Sequence, residues 1–381
     1  MKILVFYKYF FPGVAAGGPL ASLKNLFLQL GDAIDFSLVT TNSDAEIGGS
    51  DYNVKPRIWY SLFGAKVMYC SRGSINIRTL VALVKTESPG AIYLNSCFDP
   101  IFTLRILVAR RLGLLSGYKI ILQPRGELHA GSLSHKPLKK RVFLKVANLL
   151  GLYRGLIWQA SSPLEKADIQ REFQFVDDSR VSVAPDLVAP PTEAPRLTTR
   201  NSDDALRVCF LSRISPTKNL DFALKILQKV REPICFSVYG HREFPDYFEF
   251  CRTLAEKLPT HVACRFLGPL PNEQVIEKLS EHDVFFFPTK GENYGHVIYE
   301  ALSAALPVLT SDRVPWHEAE KDGVLWRYSL MAETDFVEGL EKLASMPADK
   351  LKLLRQRAFA FAEAFSCDSA AKTASLKLFI E

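Results

Sequence analysis

Residues 284–312, VFFFPTKGENYGHVIYEALSAALPVLTSD, run from an apolar strand through a polar turn into a helical pattern and out into a second apolar stretch. The run VFFF is continuous rather than alternating, which suits a strand covered on both faces. HVIYEALSAA spaces its apolar residues as a helix does. Parallel neighbours need a crossover between them, so strand, helix and strand in this order predict one step of a parallel sheet.

The turn also carries chemistry. With a helix starting near Gly295, the backbone amides of Tyr294, Gly295 and His296 point out of its N-terminus, where anions are favoured. Glu292 and Glu300 flank that start. A carboxylate accepts two hydroxyl hydrogen bonds, so the pair suits a polyhydroxyl ligand. Spacing alone equally allows Glu292 to cap the helix and Glu300 to sit on a solvated face.

Upstream the same alternation fills the second half: LRVCFLS (206–212), a helix from about Asn219, ICFSVYG (234–240), FEFCRTLAEKL (248–258), ACRFLG (263–268) and a helix from Asn272. One helix is expected over 348–381. In FLSRISPTKNLDFALK (210–225), Arg213 directly follows a strand and Lys218 opens the next helix. A fixed fork and a point charge at one strand end fit a pyrophosphate, although two surface cations would give the same pattern.

The first half repeats the design. KILVFYKYF (2–10), FSLVTT, KVMYC, AIYLN, KIILQP, LIWQA and VSVAP read as strands, with helical patterns such as INIRTLVALVKTE and DPIFTLRILVARRLG between them. DLVAPPTEAPRLTTRNSDD (186–204) is rich in Pro, Thr and Asp and aperiodic. The expected organisation is a Rossmann-like domain over 1–186, a linker over 187–204, a second Rossmann-like domain over 205–355, and a terminal segment, 356–381, that packs back on the first domain. Two doubly wound α/β units facing across a cleft bind ligands at the carboxyl ends of their strands.

Composition narrows the class. Of 381 residues, 48% are hydrophobic and 23% charged, which excludes a mainly disordered chain. No apolar run reaches the ~18–20 residues that span a bilayer. Lys8 interrupts the N-terminal apolar stretch, so it reads as a buried strand rather than a signal peptide, and a cytoplasmic chain is expected. Seven dispersed cysteines without a CxxC pair predict small buried residues, not a disulfide framework or zinc site. No GxGxxG follows either unit's first strand, which disfavours a dinucleotide oxidoreductase.

Charge is asymmetric. Residues 1–190 hold 23 Lys and Arg against 14 Asp and Glu, the remainder 24 against 27. From Arg105 to Arg154 the single acid is Glu127. In HKPLKKRVFLKVANLLGLYRG (135–155), basic residues alternate with Phe143, Leu144, Leu149 and Leu150, a pattern suited to an anionic membrane surface or to an ordinary amphipathic helix. No nucleic-acid module accompanies the charge.

SRISPTKN followed by GENYGHVIYEALSAALPVLTSDRVPW resembles the retaining, nucleotide-sugar-dependent glycosyltransferases of the family 4 type, which have the GT-B fold. PRGELHAGSLSHKPLKKR, GGPLASLKNL, SSPLEKADI and APDLV extend the likeness over nearly the whole chain. The resemblance implies transfer of a sugar from a UDP- or GDP-sugar to a hydroxyl acceptor with retention, without metal or other cofactor. It implies that Arg213 and Lys218 hold the donor diphosphate, Glu300 the ribose, and Glu292 the sugar hydroxyls. Asn293, Tyr294, Gly295 and His296 supply amides, and Gly17 and Gly18 let the N-terminal loop approach the donor. Arg125 and Glu127 are placed in acceptor recognition, and His129 is a further candidate there. A lipid-linked or growing surface polysaccharide, made at the inner face of a membrane, is the expected acceptor. Two departures stand out: Ala305 replaces a usual glycine, and His129 a small polar residue. A nucleotide-sugar epimerase and a non-catalytic binding subunit stay open as alternatives.

Overall fold

The computed structural model describes residues 1–13, 17–45, 49–133, 137–197 and 204–381. Parts of the N-terminal glycine loop (14–16), the basic window (134–136) and the linker (198–203) lie outside the described residues. Unit 1 joins Met1–Ala189 to Asp368–Glu381, and unit 2 is Pro190–Cys367.

Unit 1 is built on β1 (Lys2–Phe6), β2 (Asp35–Thr41), β3 (Trp59–Leu62), β4 (Ala65–Cys70), β5 (Ala91–Asn95), β6 (Lys119–Gln123), β7 (Ile157–Ala160) and β8 (Val181–Val183). Their order in the sheet is β3-β4-β2-β1-β5-β6-β7-β8. Only the β3–β4 pairing is antiparallel. Strand period 2 divides the core in two. Ile3 and Val5 join one apolar cluster with Leu23 and Phe27 of the helix Gly18–Leu30, while Leu4 and Phe6 join the other with Ile106 and Leu107 of the helix Thr103–Arg111. Both faces of β1 are therefore buried, as its unbroken apolar run requires.

Unit 2 has six parallel strands, β9 (Leu206–Leu211), β10 (Ile234–Tyr239), β11 (Val262–Gly268), β12 (Val284–Phe287), β13 (Val308–Ser311) and β14 (Leu325–Tyr328). Their order is β11-β10-β9-β12-β13-β14. All four side chains of β12 are buried. The expected α/β architecture of two doubly wound units is thus present.

Three expectations need correction. The closing helix is broken: Asp368, in an extended conformation, ends Ala348–Cys367 and accepts the Ala370 N–H at 2.9 Å to cap Ser369–Ile380. The chain accordingly rejoins unit 1 at Asp368 rather than at 356. There Phe379 packs edge-on against Phe36 and Tyr93, with ring centroids 5.7 and 5.2 Å apart. Cys235 and Cys367 are exposed rather than buried, although all seven cysteines are free thiols. Among the described residues no helix is long and apolar enough to cross a membrane.

Candidate active site

In unit 2 the chain leaves β9 through Ser212 and Arg213, and this exit is pinned to that of β10. The Ile214 N–H donates to His241 O at 2.8 Å. A β-carbon on Gly240 would lie 1.7 Å from Ser212 O, so only glycine lets the two exits run this close. Arg213 emerges here with its side chain 60% exposed, Nη1 2.8 Å from Glu243 Oε1.

The turn after β9 is laced to the turn after its neighbour β12. Asn219 Nδ2 donates to Pro288 O at 2.9 Å, and the Lys290 N–H to Thr217 O at 2.9 Å. The lacing brings Lys218 and Glu292 together. Lys218 Nζ is 2.6 Å from Glu292 Oε1, with side chains only 18% and 11% exposed. Thr289 Oγ1 donates to the same oxygen at 2.9 Å, and the ammonium stands 5.7 Å from the centre of the Phe287 ring. Thr289 and Phe287 are site neighbours that the sequence did not single out.

Gly295 adopts the left-handed conformation, φ 81° and ψ 56°, and opens the helix His296–Ser303. Gly295, at its N-cap, has no side chain with which to close it, and Glu292 is paired with Lys218. The start of such a helix presents backbone amides toward which an anion or hydroxyl is favoured. Tyr294 is held between the rings of His296 and Trp316, 4.8 and 5.6 Å from their centroids, and its carbonyl accepts from Trp316 Nε1 at 2.7 Å. Asn293 is half-buried beside it. Glu300 lies a turn along and is also half-buried rather than solvated. Burial pushes its carboxyl above the usual range, and the nearby His296 opposes that shift.

In unit 1, Gly17 is the residue before the helix Gly18–Leu30, with φ 60°, and Gly18 is its first residue. Arg125 follows β6 with φ 59° and turns its guanidinium inward. Nε and Nη2 donate to Asn95 Oδ1 at 3.1 and 2.7 Å, and Nη1 to Ser22 Oγ at 2.5 Å and Asp186 Oδ1 at 3.1 Å. Glu127 accepts from Ser96 Oγ at 2.8 Å and from the amides of Cys97 and Phe98 at 2.6 and 3.2 Å. Burial raises its carboxyl, and those hydrogen bonds counter the rise. Arg125 and Glu127 are therefore each built into the scaffold of the loop after β6 rather than simply presented from it. His129 accepts the Gly131 N–H on Nδ1 at 3.1 Å. Beneath this loop Glu165 accepts the amides of Gly126 and Ser161, both at 2.8 Å, and burial pushes its carboxyl up to about 7. Among the described residues no three His, Cys, Asp or Glu side chains gather where they would hold a metal ion.

Residues 196–360 match the family described as Glycosyl transferases group 1. Among curated proteins, the phosphatidylinositol N-acetylglucosaminyltransferase GPI3 subunit of Saccharomyces cerevisiae is 27% identical over 139 residues, covering 34% of this chain and 30% of the relative. The match thus spans under a third of that relative's length. Over whole chains, sucrose-phosphate synthase from Thermosynechococcus elongatus superposes with a TM-score of 0.74 at 14% identity, covering 100% of this chain and 98% of its own. The Anabaena protein HepE, solved with UDP and glucose, gives a TM-score of 0.68 at 15% identity, covering 99% and 98%. Sheet order, strand exits and these likenesses agree: the chain has the GT-B fold, and residues 196–360 within its second unit match the Glycosyl transferases group 1 family.

Proposed function

We propose that this chain is a retaining glycosyltransferase that moves a hexose-type sugar from a UDP- or GDP-sugar to a hydroxyl of a lipid-linked or growing surface polysaccharide. The observation that carries this reading is the Lys218–Glu292 pair beside the glycine-led start of His296–Ser303. A cation, a row of amides and a carboxylate in one place match a diphosphate joined to a polyhydroxyl ring.

On this reading Lys218, Arg213 and the helix amides take the diphosphate, and Glu292 turns to the sugar hydroxyls while Glu300 accepts from the ribose. The anomeric C–O bond breaks with its electron pair passing to the diphosphate oxygen, whose charge these groups stabilise. The acceptor oxygen bonds to the same face of the anomeric carbon, and its proton passes to the departing phosphate. Arg213, Lys218 and the helix N-terminus balance the leaving charge, so the reaction runs without a divalent ion. Arg125, Glu127 and His129 are assigned to the acceptor, the first two through the shape of their loop. Support for a UDP donor comes from the ligands of the HepE structure, and support for a lipid acceptor from the name of the yeast relative. The basic residues of 105–154 would hold the protein at the inner face of an anionic membrane.

A thermal-shift screen of UDP-, GDP- and ADP-sugars, followed by turnover with and without acceptor glycans and NMR of the product's anomeric proton, tests this. Stabilisation by one donor and a retained configuration are expected. No stabilisation by any donor, or an inverted product, overturns the reading.

A further inference from the structure

At the amino edge of unit 1's sheet lies a hollow of about 980 Å3 whose lining includes Arg110, Arg111, Lys119, Arg154 and Arg180 and no acidic residue. β6 and β7 contribute their first residues, Lys119 and Ile157, whereas Arg125 and Glu127 follow the other end of β6. Five strand residues at ~3.3 Å each set the two places about 15 Å apart.

Two of these arginines frame the hollow. Arg110 Nη1 donates to Arg154 O at 2.6 Å, and Arg111 Nε to Leu150 O at 3.0 Å. Arg154 and Arg180 are exposed, and their guanidinium groups donate no hydrogen bond among the described residues; Arg154 lies 5.5 Å from the centre of the Phe175 ring. Lys119 Nζ donates to Leu378 O at 3.1 Å. Glu381 lines an adjoining hollow of about 500 Å3.

The rim is apolar. Leu149 and Leu150 line the hollow and are 87% and 53% exposed. Leu149 ends the helix Pro137–Leu149, along which Leu138, Val142 and Val146 form an exposed stripe at helical spacing, with Lys139, Arg141 and Lys145 exposed beside it. Leu112, 66% exposed, directly follows Arg111. A soluble partner of ordinary acidity would match the cations but not this stripe. An amphiphile with an anionic head and an apolar tail matches both.

We infer that this hollow is a binding site for the phosphate headgroup of an anionic phospholipid, with the Leu138–Leu149 stripe lying against the acyl chains. It rests on the membrane reading above and sharpens it. Diffuse attraction becomes a defined site at the carboxyl end of the helix Pro137–Leu149. The exposed Arg154 and Arg180 bind the phosphate oxygens, and Arg111 adds its remaining N–H groups.

The test uses the full chain without sugar donor, so its result is independent of transfer. Titration with monomeric dihexanoyl-phosphatidylglycerol, dihexanoyl-phosphatidylcholine and inorganic phosphate separates headgroup, tail and free-anion recognition. The glycerol lipid should bind best, and Arg154→Gln with Arg180→Gln should weaken it by at least about tenfold, as loss of charge-assisted bonds implies. Lys139→Gln with Lys145→Gln should leave it unchanged while reducing flotation with vesicles of equal parts phosphatidylglycerol and phosphatidylcholine. Both pairs are exposed, and unchanged thermal unfolding confirms that each folds. Phosphate binding as tightly as the lipid, equal binding of the choline lipid, or insensitivity to the Arg154 and Arg180 changes overturns the inference.

Discussion

Lys218 Nζ lies 2.6 Å from Glu292 Oε1, so the residue assigned to the diphosphate and the residue assigned to the sugar form one charge-paired unit. Both are largely buried, and Thr289 Oγ1 donates to the same oxygen. Lys218→Ala should lower kcat by about 10²–10³-fold, the usual result of removing one donor to a developing oxyanion. It should also lower stability by roughly 1–3 kcal/mol, because the Glu292 carboxylate is left part-buried without its cation. Glu292→Gln keeps an acceptor for Thr289 and should cost less stability. Combining the two should cost less than their sum, since each single change strands the other charge. Steady-state kinetics and chemical denaturation of the three variants check this; unaltered turnover in Lys218→Ala would sink the assignment.

Arg213 and Arg125 should separate function from stability. Arg213 is 60% exposed and its pair with Glu243 is worth about 0–1 kcal/mol, so Arg213→Ala should leave thermal unfolding almost unchanged while reducing donor kcat/KM. Arg125 has a side chain 7% exposed and donates to Asn95, Ser22 and Asp186. Arg125→Ala leaves Asp186 buried without its cation and should cost roughly 3–5 kcal/mol. Paired melting and kinetic measurements distinguish the cases. A stable but inactive Arg125→Ala would show that the guanidinium meets the acceptor directly rather than shaping its loop.

Ala305 marks a place where this sequence works against its own fold. It follows the helix His296–Ser303 at φ 58°, the left-handed region where a β-carbon crowds the backbone. The position is one that helices commonly end with glycine. Ala305→Gly should therefore stabilise the protein by about 1 kcal/mol, net of the added freedom of the unfolded chain. The Ala305 carbonyl accepts from Arg355 Nε at 3.2 Å, a contact that glycine retains. Urea denaturation decides it: a loss of stability would mean that burial of the Ala305 methyl outweighs its backbone strain.

Most strands of both units were legible because they are largely apolar runs bounded by polar or glycine residues, as LRVCFLS is. The start of the helix at His296 was legible from Gly295. Partners were not. Lys218 and Glu292 are 74 residues apart, and they meet because β9 and β12 are neighbours. That adjacency belongs to sheet order, which no local pattern carries. β3 and β14 escaped because WYSL and LWRY are short and only partly buried. The break at Asp368 carried a signal, an Asp at the start of a new helix, which the strong helical pattern on either side outweighed.

Glu165 gives the scaffold beneath the Arg125 loop a pH signature. Burial pushes its carboxyl up to about 7, while the amides of Ser161 and Gly126 hold the shift back. In the unfolded chain the same group titrates near an ordinary ~4.3. Between those values the unfolded state sheds the proton that the native state keeps. Stability from this group is thus complete below about pH 4, falls as pH rises toward 7, and stays low above it. Glu165→Gln cannot titrate, so the stability difference between native protein and variant should drift against the native protein over that interval, by roughly 3–4 kcal/mol. Taking the difference cancels other groups that titrate alike in both proteins. Urea denaturation at several pH values measures the drift. A flat difference from pH 4 to 8 would mean that the two amides outweigh burial and hold the carboxylate charged.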